Sequence, residues 1–165
     1  MSRPENPALI NRRLFATTFA ALLACASTKT VFAQTGIAED AVVQMVERAA
    51  SAIAEHGLQE ATRHTPPDTW VRNDLGLYVF VIDSKGTLHL HPQERMIGRN
   101  IRRTRDVSGE RFIEKILYLA GKSGDTAWTE YFWPDPVDGR TRKKRVYSKK
   151  IGKLIVNCGY YLDQA

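Results

Sequence analysis

Between Val42 and Ile53 the apolar residues Val42, Val46, Ala49 and Ile53 recur at spacings of four, three and four, with Met45 and Ala50 alongside. That is the period of a helix with one buried face, and it predicts a long amphipathic helix from Ile37 to about Arg63. Glu39 and Asp40 suit the positive end of its dipole. Gly57 predicts a kink or a second short helix over Leu58 to Arg63, and Pro66-Pro67 ends helical structure. From Leu77 onward the pattern changes to short β runs. Leu77 to Asp83 (LYVFVID) is dense in apolar and aromatic residues, Asp83-Ser84-Lys85-Gly86 is a turn, and Thr87 to His91 is the returning strand of a hairpin. Phe112, Ile116 and Leu119, with Ile113, Leu117 and Ala120, restore the helical period up to Gly121, entered through Ser108-Gly109-Glu110. Three more strands follow, from Trp128 to Trp133, roughly from Lys144 to Ile151, and from Leu154 to Leu162. The turn material between them is Pro134 to Gly139 and Gly152-Lys153. Connections this short make antiparallel neighbours, because a parallel crossover needs about a dozen residues. The expected fold is α+β, a long N-terminal helix packed on a five-stranded antiparallel sheet.

The chain ahead of that helix reads differently. Residues 1–13 are polar and end in Arg12-Arg13, Leu14 to Ala26 is uncharged and mostly apolar, and Val31-Phe32-Ala33 offers small residues where a signal peptidase cuts. This predicts a signal peptide over 1–33 and a single mature domain over 34–165, periplasmic or secreted. The apolar run of 13 residues is too short to span a bilayer as a helix. Asn11-Arg12-Arg13-Leu14-Phe15 is similar to a twin-arginine signal, and Leu22-Leu23-Ala24-Cys25 to a lipobox, so Cys25 is a candidate lipid anchor. The formal charge of +6 shrinks once the leader goes: Arg3, Arg12, Arg13, Lys29 and Glu5 leave with it, and the remainder carries about +3. Most of the case for a nucleic-acid partner goes with that charge. The basic stretches Arg99 to Arg105 and Arg140 to Lys153 carry no recognised nucleic-acid motif and read as solvated charge, or as a face toward anionic lipid or an acidic partner.

Two cysteines and four scattered histidines exclude a disulfide framework and a four-thiolate zinc site. After cleavage only Cys158 remains, a small buried hydrophobe by expectation. No nucleophile with its base, paired carboxylates or metal set converges, so no catalysis and no cofactor are expected. His89 and His91, two apart on a strand, form a weak metal pair with no acidic or thiol partner placed beside them.

The segment from Leu77 to Tyr161 resembles the single Cache domains, small extracytoplasmic sensors with a long N-terminal helix on a PAS-like sheet. The residues that carry the resemblance are the LYVFVID strand with Tyr78 and Asp83, Gly86, His91-Pro92, Ile97-Gly98-Arg99-Asn100, Phe112, Glu130-Tyr131-Phe132-Trp133-Pro134, Lys144-x-x-Tyr147 and Gly159-Tyr160. With the long helix around Met45-Val46 it covers nearly the whole mature chain. The resemblance implies binding of a small molecule, often a short carboxylate, on one face of the sheet, to control a transducer. No transducing module follows within the sequence, so a membrane-bound sensor or transporter is the expected partner. A ligandless interaction module is the alternative.

Holding a small carboxylate takes converging donors in a mostly apolar pocket and one cation. Tyr131 and Trp133 share a strand face, and the next strand returns alongside as a hairpin. The resemblance implies that Lys144 and Tyr147 contact ligand, although positions 144 and 147 of a regular strand point to opposite faces unless a bulge intervenes. Tyr78 and His91 lie near one end of the first hairpin and could supply a hydroxyl and an imidazole. Trp70, in the family's arrangement, lies near the pocket mouth. Core packing for the aromatic residues, a loop-holding role for His91, loop anchoring for Trp70 and a solvated basic strand for Lys144 are the competing readings.

Overall fold

The computed structural model describes residues 26–162 except Val137, with side chains from Ala38 onward. The expected leader lies largely outside the described residues. Helix α1, Ala26–His64, begins upstream of the expected Ile37 and spans the expected cut site. The kink is where the sequence puts it: Gly57 has φ 75° and ψ 159°, a left-handed position that a residue with a Cβ rarely adopts. Glu39 and Asp40 therefore lie inside the helix and not in its first turn. Glu39 instead accepts a hydrogen bond from the Tyr160 hydroxyl at 3.0 Å and pairs with Arg145 at 3.3 Å.

The sheet has six strands where five are expected: β1 Val71–Arg72, β2 Leu77–Asp83, β3 Leu88–Leu90, β4 Thr126–Pro134, β5 Thr141–Ile151 and β6 Leu154–Tyr161. The additional strand is β1, whose two residues pair with Tyr78 and Leu77 and are too short to show a period. All pairings are antiparallel, in the order β1-β2-β6-β5-β4, with β3 also paired to β2. Between β3 and β4 lies helix α2, Phe112–Lys122, one residue longer than expected.

The two helices take opposite faces of the sheet. Val42, Met45, Val46, Ala49 and Ile53 of α1 bury against Val79, Val81, Val156 and Cys158. On the other face Phe112, Ile113, Ile116 and Ala120 of α2 pack over Tyr78, Phe80, Ile82, Tyr131, Val146 and Ile155. β2 is thus buried on both sides, which explains why it reads as a continuous apolar run and not as an alternation. The α2 entry is fixed by Asp106, whose carboxylate accepts hydrogen bonds from the Ser108 and Glu110 amides and reaches the Phe132 amide of β4 at 3.0 Å. Desolvation works against that charge, but these donors outweigh it and hold the Asp106 carboxyl down at about 2.

Gly159, in the middle of β6, has a packing reason. A Cβ there would lie 2.6 Å from Val146 Cγ2 and would also press on the Arg145 carbonyl of the paired strand. Gly159→Ala is expected to cost about 1–3 kcal/mol through overpacking, read as a lower urea midpoint at unchanged m-value.

Candidate functional site

The aromatic face beneath α2 closes over a small cavity, lined by Tyr78, Phe80, Leu88, His91, Met96, Ile101, Phe112, Ile113, Tyr131 and Trp133. Strand alternation delivers the floor: Tyr78 and Phe80 from β2, Tyr131 and Trp133 from β4. The first residues of α2 and the segment after β3 form the roof. Phe112 stacks on Tyr131 with ring centroids 4.1 Å apart at 18°, and meets Trp133 edge-on at 5.3 Å. Tyr78 meets His91 edge-on at 5.5 Å. The cavity volume is about 20 Å³, room for about one water molecule.

Lys144 is the singular feature of this face. It stands in cross-strand register with Tyr131 on one side and Tyr161 on the other, and its side chain is fully buried. Its Nζ lies 3.8 Å from the centroid of the Tyr78 ring, 5.2 Å from that of Tyr161 and 5.9 Å from that of Phe80. It has no hydrogen-bond partner. Burial pushes its pKa below the usual lysine value. The surrounding hydroxyls are shifted the other way: burial raises Tyr78 to about 12 and Tyr131 well above its ordinary value. His91 is held down at about 4, by burial first and by the Lys144 charge second, so its ring is neutral at physiological pH. Its Nδ1 accepts a hydrogen bond from the Gln93 amide at 3.0 Å.

Five of the seven residues singled out in the sequence meet here: Tyr78, His91, Tyr131 and Trp133 in the lining, and Lys144 beside Tyr78. Tyr147 and Trp70 do not. β5 runs against β4 and β6 without a bulge, so Tyr147 points to the α1 face, where it packs against Trp128 and its hydroxyl donates to Glu47 at 3.3 Å. Trp70 is buried in the α1 core, with its indole N–H donating to Thr65 Oγ1 at 2.7 Å. His89 is also apart from the cavity. β3 ends at Leu90, so His91 leaves the strand while His89 stays exposed and pairs with Asp83 at 3.2 Å. Among the described residues no group of histidine, cysteine and acidic side chains could hold a metal ion.

The sequence reading did not bring Phe80, Met96 or Tyr161 to the site. Phe80 and Tyr161 were within reach of the period of two, since Phe80 shares a face with Tyr78, and Tyr161 one with Ile155 and Gly159. Met96 comes from a loop and carries no such signal. The basic residues around Lys144 are paired with acids: on the opposite face Lys143 with Glu130 at 2.7 Å, Arg145 with Glu39 and Lys149 with Glu47, and on Lys144's own face, at the start of the strand, Arg142 with Asp135 and Asp138. Lys144 alone among these is driven into the aromatic core. Cys158 is buried and unbridged, and burial pushes its thiol up to about 12, the character of an inert thiol.

The architecture is a PAS-like sheet with a helix on each face and a small aromatic cavity under one of them. The model of the Single Cache domain 2 family matches residues 38–165, and the chain belongs to that family, whose members are extracytoplasmic small-molecule sensors. Solved structures agree on the fold. A methyl-accepting chemotaxis protein from Vibrio parahaemolyticus is 17% identical with a TM-score of 0.66, covering 82% of this chain and 96% of that one. A periplasmic sensor domain of a chemotaxis protein is 19% identical with a TM-score of 0.60, covering 85% and 100%. A Cache chemosensory domain described for its carboxylic acid recognition is 22% identical with a TM-score of 0.57, covering 82% and 90%. No curated protein sequence matches the chain. No described helix is long and apolar enough to cross a membrane.

Proposed function

We propose that this is the ligand-binding domain of an exported sensing system, and that it takes a short carboxylic acid into the aromatic cavity with Lys144 as counter-charge. The observation that carries the reading is the Lys144 amino group, buried without a hydrogen-bond acceptor beside an apolar cavity. Such a group is costly unless an anion completes it. The similarity to a Cache domain known for carboxylic acid recognition supports the same chemistry. Export rests on the leader sequence ending at Ala33, and a membrane-bound sensor or transporter is the partner that reads the bound state. The cavity as it stands takes about one water, so entry of an acid requires its lining to open.

The test is a thermal-shift screen of the purified mature protein against acetate, propanoate, pyruvate, amino acids, amines and purines. A ligand at 100 times its Kd adds about 2.7 kcal/mol, which raises the midpoint by roughly 3–7 °C for a domain of this size. Acids alone are expected to produce the shift. A flat response across the panel turns the assignment to an interaction module with a closed core. The mass of the mature protein settles its export form, a Gln34 start for cleavage after Ala33 and a diacylated Cys25 for a lipoprotein.

A further inference from the structure

The surroundings of Lys144 decide in what form the acid arrives. Its Nζ touches rings and no acceptor. The titratable groups facing it are Tyr78 from β2, Tyr131 from β4, Tyr161 from β6, His91 from the segment after β3, and Asp135 from the turn after β4, while the Cys158 thiol acts on it from the α1 side of the sheet. The tyrosines and the thiol stay neutral well above physiological pH, and His91 is neutral there. The one carboxylate, Asp135, is engaged by Arg142. α2 contributes apolar Phe112 and Ile113. A cation at Nζ therefore has no anion of its own in the empty site, and a carboxylate beside it supplies one.

We infer that the site binds a carboxylic acid as an electrically neutral unit, the carboxylate entering together with one proton that comes to rest on Lys144 Nζ. The inference rests on the carboxylate reading above and adds its proton balance. Burial favours the uncharged amine in the empty site, and the incoming anion reverses that preference. No bond other than N–H is made: the amine takes a proton from solvent and the carboxylate stays ionised beside it. In the range where the empty site has released its proton and the complex retains it, affinity falls about tenfold per pH unit.

Two experiments test this. Calorimetric titration of the mature protein with acetate and with propanoate, at pH 7, 8 and 9 in buffers of different ionisation enthalpy, counts the protons taken up. The expected result is a count that climbs toward one as pH rises, with affinity falling in step. Binding with a zero count and a pH-independent affinity overturns the inference and leaves the carboxylate reading intact; no binding by either acid at any pH overturns both. The second experiment needs no ligand. The unfolded chain holds the Lys144 proton up to its ordinary value of 10.5, whereas the folded chain releases it earlier. The unfolded state then binds more protons, so wild-type stability rises with pH in that window. Lys144→Met lacks this slope, and the denaturation midpoints of wild type and variant are expected to converge as pH rises from neutral toward the ordinary lysine value of 10.5. A difference that stays constant over that range overturns the inference.

Discussion

Lys144→Met is expected to make the protein more stable and to abolish its response to carboxylic acids in the same step. Lys144 is one of the largest fully buried side chains, and its Nζ has no acceptor. A buried polar group left without its hydrogen bond costs about 1–3 kcal/mol, and methionine fills a similar elongated volume without that cost. The melting temperature should rise by a few to about 10 °C. Loss of the buried cation proposed to pair with the ligand should weaken acetate or propanoate by about 2–5 kcal/mol, which removes detectable binding. The two effects have a common origin: a site that buries an amino group without an acceptor, in readiness for an anion, is destabilised until the anion comes. Scanning calorimetry and titration of the variant check both halves. A variant less stable than wild type at neutral pH would mean that the contact with the Tyr78 ring, 3.8 Å from Nζ, outweighs desolvation, and would make Lys144 a structural residue.

The sequence reaches this site through arithmetic that left one contradiction. Lys144 and Tyr147 are three apart on a strand, so without a bulge they cannot share a face. β5 has no bulge, and the strand gives its lysine to the face that carries the cavity and its tyrosine to α1. Periodicity alone thus separates the two, but not which face carries the cavity, because both faces of β2 are apolar and both are covered. The helix kink at Gly57 and the extent of α2 were legible because they depend on local backbone preference and a regular period. β1 was not, since two residues carry no pattern. Trp70 follows the Pro66-Pro67 turn, and the direction a loop tryptophan takes is set by what lies beneath it, here Thr65 and the α1 core. Burial of Lys144 was the hardest feature to read. Its neighbours Arg142, Lys143 and Arg145 are as basic as it is, and only their pairing with Asp135, Asp138, Glu130 and Glu39, residues distant in sequence or across a turn, sets Lys144 apart.

Phe112→Ala is expected to be the costliest single truncation in the roof of the site, lowering stability by about 3–5 kcal/mol. Phe112 is 2% exposed and opens α2, so its ring is the point at which the helix is pinned to β4. It lies flat on Tyr131 at 4.1 Å and edge-on to Trp133 at 5.3 Å, contacts worth about 0.5–1.5 kcal/mol each beyond the area they bury. Truncation removes those contacts and extends the existing cavity, because Ile113, Ile116 and Ala120 hold the rest of α2 in place and limit its collapse. Two measurements separate an open cavity from a relaxed helix. If the space stays open, benzene should bind the variant and recover part of the lost stability, as small apolar guests do in dry engineered cavities. A double-mutant cycle with Tyr131→Ala should also show coupling of at least about 0.5 kcal/mol. A loss below about 1 kcal/mol with no benzene effect would mean that α2 settles onto the sheet without Phe112, and that the cavity roof is set by the segment bearing His91 and Met96 instead.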